Sequence, residues 1–391
     1  MSNPIDRIRD WQEELTAWRR DFHMHPEIGL EEVRTSALVA ERLEAMGYEV
    51  HRGVGVTGVV GVLRNGSGNR AIGLRADMDA LPMEEENSFG HRSTVPGMMH
   101  GCGHDGHTTM LLGAAKYLAE TKNFDGTVNL IFQPAEEGRG GALAMINDGL
   151  FQRFPCDEVY GLHNRPGLAV GKYGIRPGAM MAGAAFWDIH IHGKGGHGAR
   201  PEATIDPVVV GAQIVTAFQS IVARNVAPID TAVVSTTGFT AGQAHNVIPE
   251  HVHLMGTVRT YKVETMKLVH DRMQALASSI ALGFGATAEL LWNEITVPVI
   301  NTEEQTTAIA DAAAALVGEA HVERNRAPVM GSEDFSYMLQ ERPGAYIVVG
   351  NGEGSMGGCD VHNPKYDFND TSIPYGAGIL AAIVEKQLAK R

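Results

Sequence analysis

Cysteine is scarce, with only Cys102, Cys156 and Cys359 in 391 residues. An odd, scattered set excludes a disulfide framework and reads as buried thiols, one of them with room for chemistry. A Lys/Arg-rich block is also missing, and the formal net charge of −14 would repel a phosphate backbone or an anionic bilayer. Nucleic acid and membrane are therefore set aside as partners. No run approaches the ~20 apolar residues of a membrane span. The opening MSNPIDRIRDWQEEL has none of the apolar character of a secretory signal, so the expected compartment is the cytoplasm. Internal repeats and low-complexity segments are absent as well.

What remains is a globular composition, 44% hydrophobic, in a chain longer than one core usually serves. Helical spacing runs through Ile5, Ile8, Trp11, Leu15, Trp18 and Phe22, and a second helix over 36–46 closes at Gly47. Strands are expected over 56–63, 70–78, 127–132 and 158–163, with helices over 107–119 and 142–147 between them. This alternation implies an α/β domain with a sheet flanked by helices. Near residue 182 the style changes. Strands over 184–192, 231–240, 247–260 and 286–295 enclose helices over 207–224 and 265–282, a β-α-β-β-α-β order resembling the ferredoxin-like α+β sandwich. The expected layout is a first domain over 1–181, an inserted domain over 182–296, and a return to the first over 297–391, with a strand over 346–350 and a closing helix from Tyr375.

Residues able to bind metal gather where strands end, the places from which side chains reach a crevice. Gly101-Cys-Gly-His-Asp-Gly-His107 precedes a helix, and its glycines allow Cys102 and His104 to face one ion. Gln133-Pro-Ala-Glu-Glu-Gly138 follows a strand and carries the paired Glu136 and Glu137. Gly161-Leu-His-Asn164 ends another strand, and Val361-His-Asn-Pro364 lies near the C-terminus. Taken singly, each has a bland reading: a satisfied histidine, an acidic helix start, an inert buried thiol. Their conjunction, each bracketed by glycine or proline, points to one open site of imidazole, carboxylate and thiolate.

These motifs, with Arg75-Ala-Asp-Met-Asp-Ala-Leu-Pro82 and His362-Asn-Pro-Lys-Tyr-Asp-Phe368, resemble the dinuclear metallopeptidases related to aminoacylase and carboxypeptidase G2. Within them the chain is most similar to the hippurate hydrolases and N-acyl-amino-acid amidohydrolases, including those acting on indole-acetyl-amino acids. The resemblance runs from Arg20-Asp-Phe-His-Met-His-Pro-Glu27 to Asn369-Asp370. It implies a zinc-peptidase-like catalytic domain with the inserted domain serving as lid and dimerisation domain. It further implies two divalent cations, zinc or manganese with cobalt or nickel as further candidates, held by Cys102, His104, Glu137, His163 and His362. Glu136 would be the general base, passing a proton from activated water to the departing amine. Asp77 would hydrogen-bond a ligand histidine and fix its ring. Arg75-Ala-Asp77 stands where many members have a His-x-Asp ligand motif, which leaves the metal's identity more open.

In the inserted domain, the resemblance has His197, in Gly193-Lys-Gly-Gly-His-Gly-Ala-Arg-Pro201, reach over an active site and stabilise an oxyanion. Asn246 and Arg259 are candidates for gripping a substrate carboxylate. His23, His25, Asp105, His107, Glu333 and Cys359 are given structural or bystander roles. The expected reaction is hydrolysis of a small N-acyl amino acid, hippurate-like first, by a homodimer or a tetramer. Three alternatives stand beside it: deacetylation of N-acetyl-diaminopimelate or another N-acetyl amino acid, a thiol hydrolase using Cys102, and a metal-stabilised binding protein.

Overall fold

The computed structural model describes residues 3–390. The chain divides into two units. One holds the residues up to Met180, Ile300–Ala327 and the residues from Asp334 onward; the other holds Met181–Val299 and Pro328–Glu333. Pro328–Glu333 joins the second unit because the Ala182 N–H donates to the carbonyl oxygens of Val329 and Gly331, at 3.2 and 2.9 Å.

The first unit is built on an eight-stranded sheet. Its order is Glu49–Val54, Gly58–Asn65, Gly126–Gln133, Ala71–Asp77, Glu158–Pro166, Gly344–Gly352, Tyr173–Gly174 and Val322–Glu323. The four strands from Gly126–Gln133 to Gly344–Gly352 are mutually parallel, so their carboxyl ends share one edge. Parallel strands need both faces covered. Accordingly Gly344–Gly352 is buried along its whole length, and Ala71–Asp77 at all but its first residue. The helix His104–Thr121 is buried on nearly every side and packs against Ile373–Gln387.

That helix starts one turn before the expected Gly106–His107 boundary. Gly103 adopts φ +97° as its N-cap, and a Cβ there would lie 2.5 Å from the Tyr366 hydroxyl oxygen. Only glycine takes that conformation at no cost. Other boundaries also differ from the periodicity. The first helix is two, Pro4–Arg9 and Gln12–Met24. Glu49–Val54 is an edge strand whose polar, half-exposed sequence hides it. The expected strand over 247–260 divides into Val247–Ile248 and His251–Thr260 around Pro249, which cannot donate to a ladder.

The second unit has the order strand Gly183–His192, helix Pro207–Arg224, strands Ala232–Thr240 and His251–Thr260, helix Val263–Gly283 and strand Thr287–Thr296. Gly183–His192 and His251–Thr260 form the centre of a four-stranded antiparallel sheet. Pro207–Arg224 is long and apolar enough to cross a membrane by length and composition. Here its Val210, Ile214, Phe218 and Ile221, spaced three and four apart, sink into the core, and Phe218 meets Trp187 edge-on at 5.8 Å.

Beneath the Gly101–His107 loop lies a buried polar network. Arg19 is fully buried, its Nε donating to Asp370 at 2.6 Å and its Nη1 lying 3.5 Å from Asp105. The His23 ring bridges Asp105, at 2.8 Å, and Glu85, at 3.2 Å. Burial pulls the His23 pKa down, but its two carboxylate partners outweigh that and raise it to about 9. A raised imidazole pKa adds stability that is complete below the unfolded value near 6.5 and is lost as pH climbs through 9. The stability gap between the native chain and His23→Gln, followed by urea unfolding, should therefore shrink by about 3 kcal/mol between pH 6.5 and pH 9. A gap that stays level over that range contradicts the assignment.

Candidate metal centre

The shared edge of the parallel strands delivers the chemistry, as open α/β sheets do. Ala71–Asp77 ends at Asp77 and runs on to Asp79; Gly126–Gln133 leads to Glu136 and Glu137; Glu158–Pro166 carries His163. The loop after Gly344–Gly352 brings back His362, whose N–H donates to the Gly101 carbonyl at 2.7 Å. Cys102 and His104 arrive from the start of the buried helix.

The five residues named as metal ligands are brought together, with Glu136 beside them. Donor atoms of Cys102, His104 and His163 lie within 4.8 Å of one another, and so do those of Cys102, Glu137 and His362. Cys102 belongs to both sets. A third set joins His104 with Glu136 and Glu137. The Cys102 Sγ is 3.4 Å from His163 Nε2, and His362 Nε2 is 3.1 Å from Glu137 Oε1.

Two ligands of one ion with bonds of about 2.0–2.3 Å stand no more than ~4.3 Å apart, so both close pairs suit a shared cation. His104 Nε2 is moreover buried without a hydrogen-bond partner. Such an orphaned atom is costly unless something else meets it. Thiolate, imidazole and carboxylate together form a donor set suited to zinc-like ions, and the residues present fit such ions.

Local backbone strain is concentrated at the same place. Ala135 and His362 adopt φ +53° and +61°, the left-handed region that side chains usually avoid. Ala135 is held there from both sides: its N–H donates to the buried Glu32 carboxylate at 2.8 Å, and its carbonyl accepts from Gly141 at 3.0 Å. The Glu137 N–H donates to Asp79 at 2.9 Å, and the Asp334 N–H to Glu136 at 3.4 Å. These bonds fix the two adjacent glutamates in separate directions.

Charge is distributed unevenly over the donors. Hydrogen bonds to Cys102 and Glu137 raise His362 to about 10. Burial pulls His104 down, but Asp77 and Cys102 outweigh it and hold the ring well above its usual value. Burial, then the neighbouring His107, keep His163 well below the imidazole range. Burial, then the charge of Glu137, push the Cys102 thiol up.

Asp77 makes a different contact from the one expected of it. It bonds His107 Nδ1 at 2.6 Å and Arg75 Nη1 at 2.7 Å, while its Oδ2 is 3.7 Å from His104 Nε2. Burial would raise the Asp77 carboxyl, but His104, His107 and Arg75 prevail and hold it well below the carboxylate range. The residue that bonds a histidine of the ligand set is Asp79, through His104 Nδ1 at 3.1 Å. Asp79 follows Asp77 by two residues, the spacing that puts both on one side of an extended chain, and that signal sat unused in the motif. His107, read as packing, is a fully buried link from Asp77 to Asn164, whose Oδ1 lies 2.8 Å from its Nε2. Glu32 and Asp334 gave no local signal.

The three candidates in the second unit are placed as follows. His197 and Asn246 are neighbours on a two-stranded ribbon, where the Gly198 N–H donates to the Asn246 carbonyl at 2.8 Å; both side chains are exposed. Arg259 lies on the strand His251–Thr260, half-buried, bonded to Thr257 and set over the Phe186 ring.

The hippurate hydrolase of Campylobacter jejuni is 42% identical over 386 residues, covering 99% of this chain and 100% of the relative. The Arabidopsis thaliana IAA-amino acid hydrolase ILR1-like 4 is 39% identical, covering 97% of this chain and 86% of the relative. Among solved structures, a Bacillus subtilis protein described as a dinuclear metal-binding peptidase from the M20 family superimposes with a TM-score of 0.84. It is 32% identical and covers 97% of this chain and 99% of its own. The model of peptidase family M20/M25/M40 matches residues 73–386, the span that carries Asp77, Cys102, Glu136, Glu137, His163 and His362. The chain belongs to peptidase family M20/M25/M40.

Proposed function

We propose that the chain is a metal-dependent amidohydrolase that cleaves the amide bond of N-acyl amino acids, releasing a carboxylate and a free amino acid. The observation that carries this reading is the pair of three-donor sets meeting at Cys102, with Glu136 adjoining both His104 and Glu137. The names of the relatives support the substrate class: hippurate and indole-acetyl-amino acids are N-acyl amino acids. The Bacillus subtilis neighbour's description supports two ions.

Cys102, His104, Glu137, His163 and His362 hold two divalent cations, zinc or manganese. When bound, these cations bring a water's pKa toward neutrality and polarise the amide carbonyl. Glu136 takes the water's proton and delivers it to the amine nitrogen as the C–N bond breaks. Asp79 fixes the His104 ring so that Nε2 faces the site, and Asp77 fixes the His107 ring, whose Nε2 meets Asn164. The family resemblance supports Arg259 and Asn246 as candidates for the substrate carboxylate and His197 as the candidate donor to an oxyanion. The inserted domain acts as lid and dimerisation surface, and the protein works as a cytoplasmic homodimer. Cys102 serves as a ligand rather than as the nucleophile, since it belongs to both three-donor sets.

Turnover of hippurate, N-acetyl and indole-acetyl amino acids tests the reaction. Hydrolysis should vanish with chelator and return with added zinc or manganese; a chelator-resistant rate contradicts the reading. Glu136→Gln should keep its metal while kcat drops by about two or more orders of magnitude. Unchanged turnover there removes Glu136 from the mechanism.

Metal loading should also move protons. Without a cation His362 is protonated below about pH 10, and a ligand imidazole must be neutral. Calorimetry at pH 7 in buffers of different ionisation enthalpy should show net proton release on binding, with affinity falling as pH is lowered. Binding that takes up protons runs against this ligand set.

A further inference from the structure

The second unit carries four histidines in a block of their own. His190-Ile-His192 and His251-Val-His253 lie on adjacent antiparallel strands whose register sets His192 opposite His251 and His190 opposite His253. Alternate residues of a strand share a face. Ile189, Ile191, Val252 and Leu254 enter the core, so the four imidazoles stand together on the opposite face of the sheet. His190 Nδ1 lies 3.1 Å from His251 Nε2. The His190 ring stacks on His253 at 4.8 Å and 9°, and the His192 ring lies 4.9 Å from His251.

Two imidazole nitrogens 3.1 Å apart have the separation of neighbouring donors around one ion with bonds of about 2.0–2.1 Å. Asp188, on the same face, accepts from His253 Nε2 at 2.6 Å. That bond leaves Nδ1 with the lone pair, and a carboxylate behind an imidazole makes it a stronger ligand. Glu289 stands opposite His190 on the other neighbouring strand, adding negative charge to the face. Four protonated rings would repel each other. Slight burial, then His192, His190 and His253, hold His251 below the usual imidazole value, so protons compete weakly for its nitrogens. Donor sets of imidazole favour zinc, nickel and copper(II) over calcium or magnesium.

We propose that this sheet face is a separate metal site, binding one zinc, nickel or copper(II) ion through His190 and His251, with His253 completing the set. It draws on no residue of the Cys102 centre, so the two sites stand or fall independently. His192 and His251 are exposed and His190 and His253 half-buried, and the His253 ring, stacked on His190, must turn for its Nδ1 to join the set.

The test counts metal. The full-length holoenzyme is dialysed against micromolar zinc, and bound zinc is measured by mass spectrometry beside His190→Asn/His251→Asn. The native chain should hold one zinc more than the double variant, with hydrolytic rate unchanged between them. Copper(II) added to the holoenzyme should give an electron paramagnetic resonance spectrum with nitrogen hyperfine structure that the double variant loses. Asp188→Asn should weaken that site about 10-fold or more. Equal zinc content in native and variant chains, with the same copper spectrum, overturns the proposal. Circular dichroism of each variant separates loss of the site from loss of the fold.

Discussion

A thiol, three imidazoles and a carboxylate stand within a few ångströms of one another in a largely buried space, and that crowding is stable only with positive charge at its centre. In the bare chain, protons on His104 and His362 supply part of it. They leave His104 Nε2 without a hydrogen bond. Divalent cations answer both demands together, neutralising the acidic groups and satisfying the orphaned nitrogen. The arrangement of the catalytic unit follows from the need to hold these groups apart from water and close to each other.

The support for that crowding comes from residues outside the donor set. Three buried carboxylates anchor the turn that presents Glu136 and Glu137. Glu32 takes the Ala135 N–H, Asp79 the Glu137 N–H, and Asp334 the Ala142 N–H and the Gln133 side chain. Their bonds offset the left-handed strain at Ala135, a cost of about 1–3 kcal/mol in the absence of glycine. Below the Cys102 loop, Arg19 and His23 brace Asp105, so the first turn of the buried helix is fixed from its underside as well.

Much of this was legible in the sequence, because glycine, proline and chemistry-bearing residues occur together at strand ends. The motifs alone mark Cys102, His104, Glu136, Glu137, His163 and His362, and the hydrophobic pattern alone marks the alternation that builds the parallel strands and the antiparallel second unit. What escaped depends on partners far along the chain. Periodicity cannot tell that Asp77 turns to His107 while Asp79 turns to His104, since both lie on one side of the same extended segment. Glu32 lies 103 residues before the turn it stabilises, and nothing local marks it. Glu49–Val54 was missed because an edge strand needs no apolar alternation.

The account rests on two cations meeting the same five side chains, and diffraction from metal-loaded crystals at the zinc absorption edge examines that directly. In the catalytic unit, two anomalous peaks about 3.5–4 Å apart are expected, ligated by Cys102, His104, Glu137, His163 and His362, with Glu136 outside bonding distance of both. Peaks located elsewhere in the catalytic unit, or Glu136 bound to an ion in place of Glu137, would contradict it.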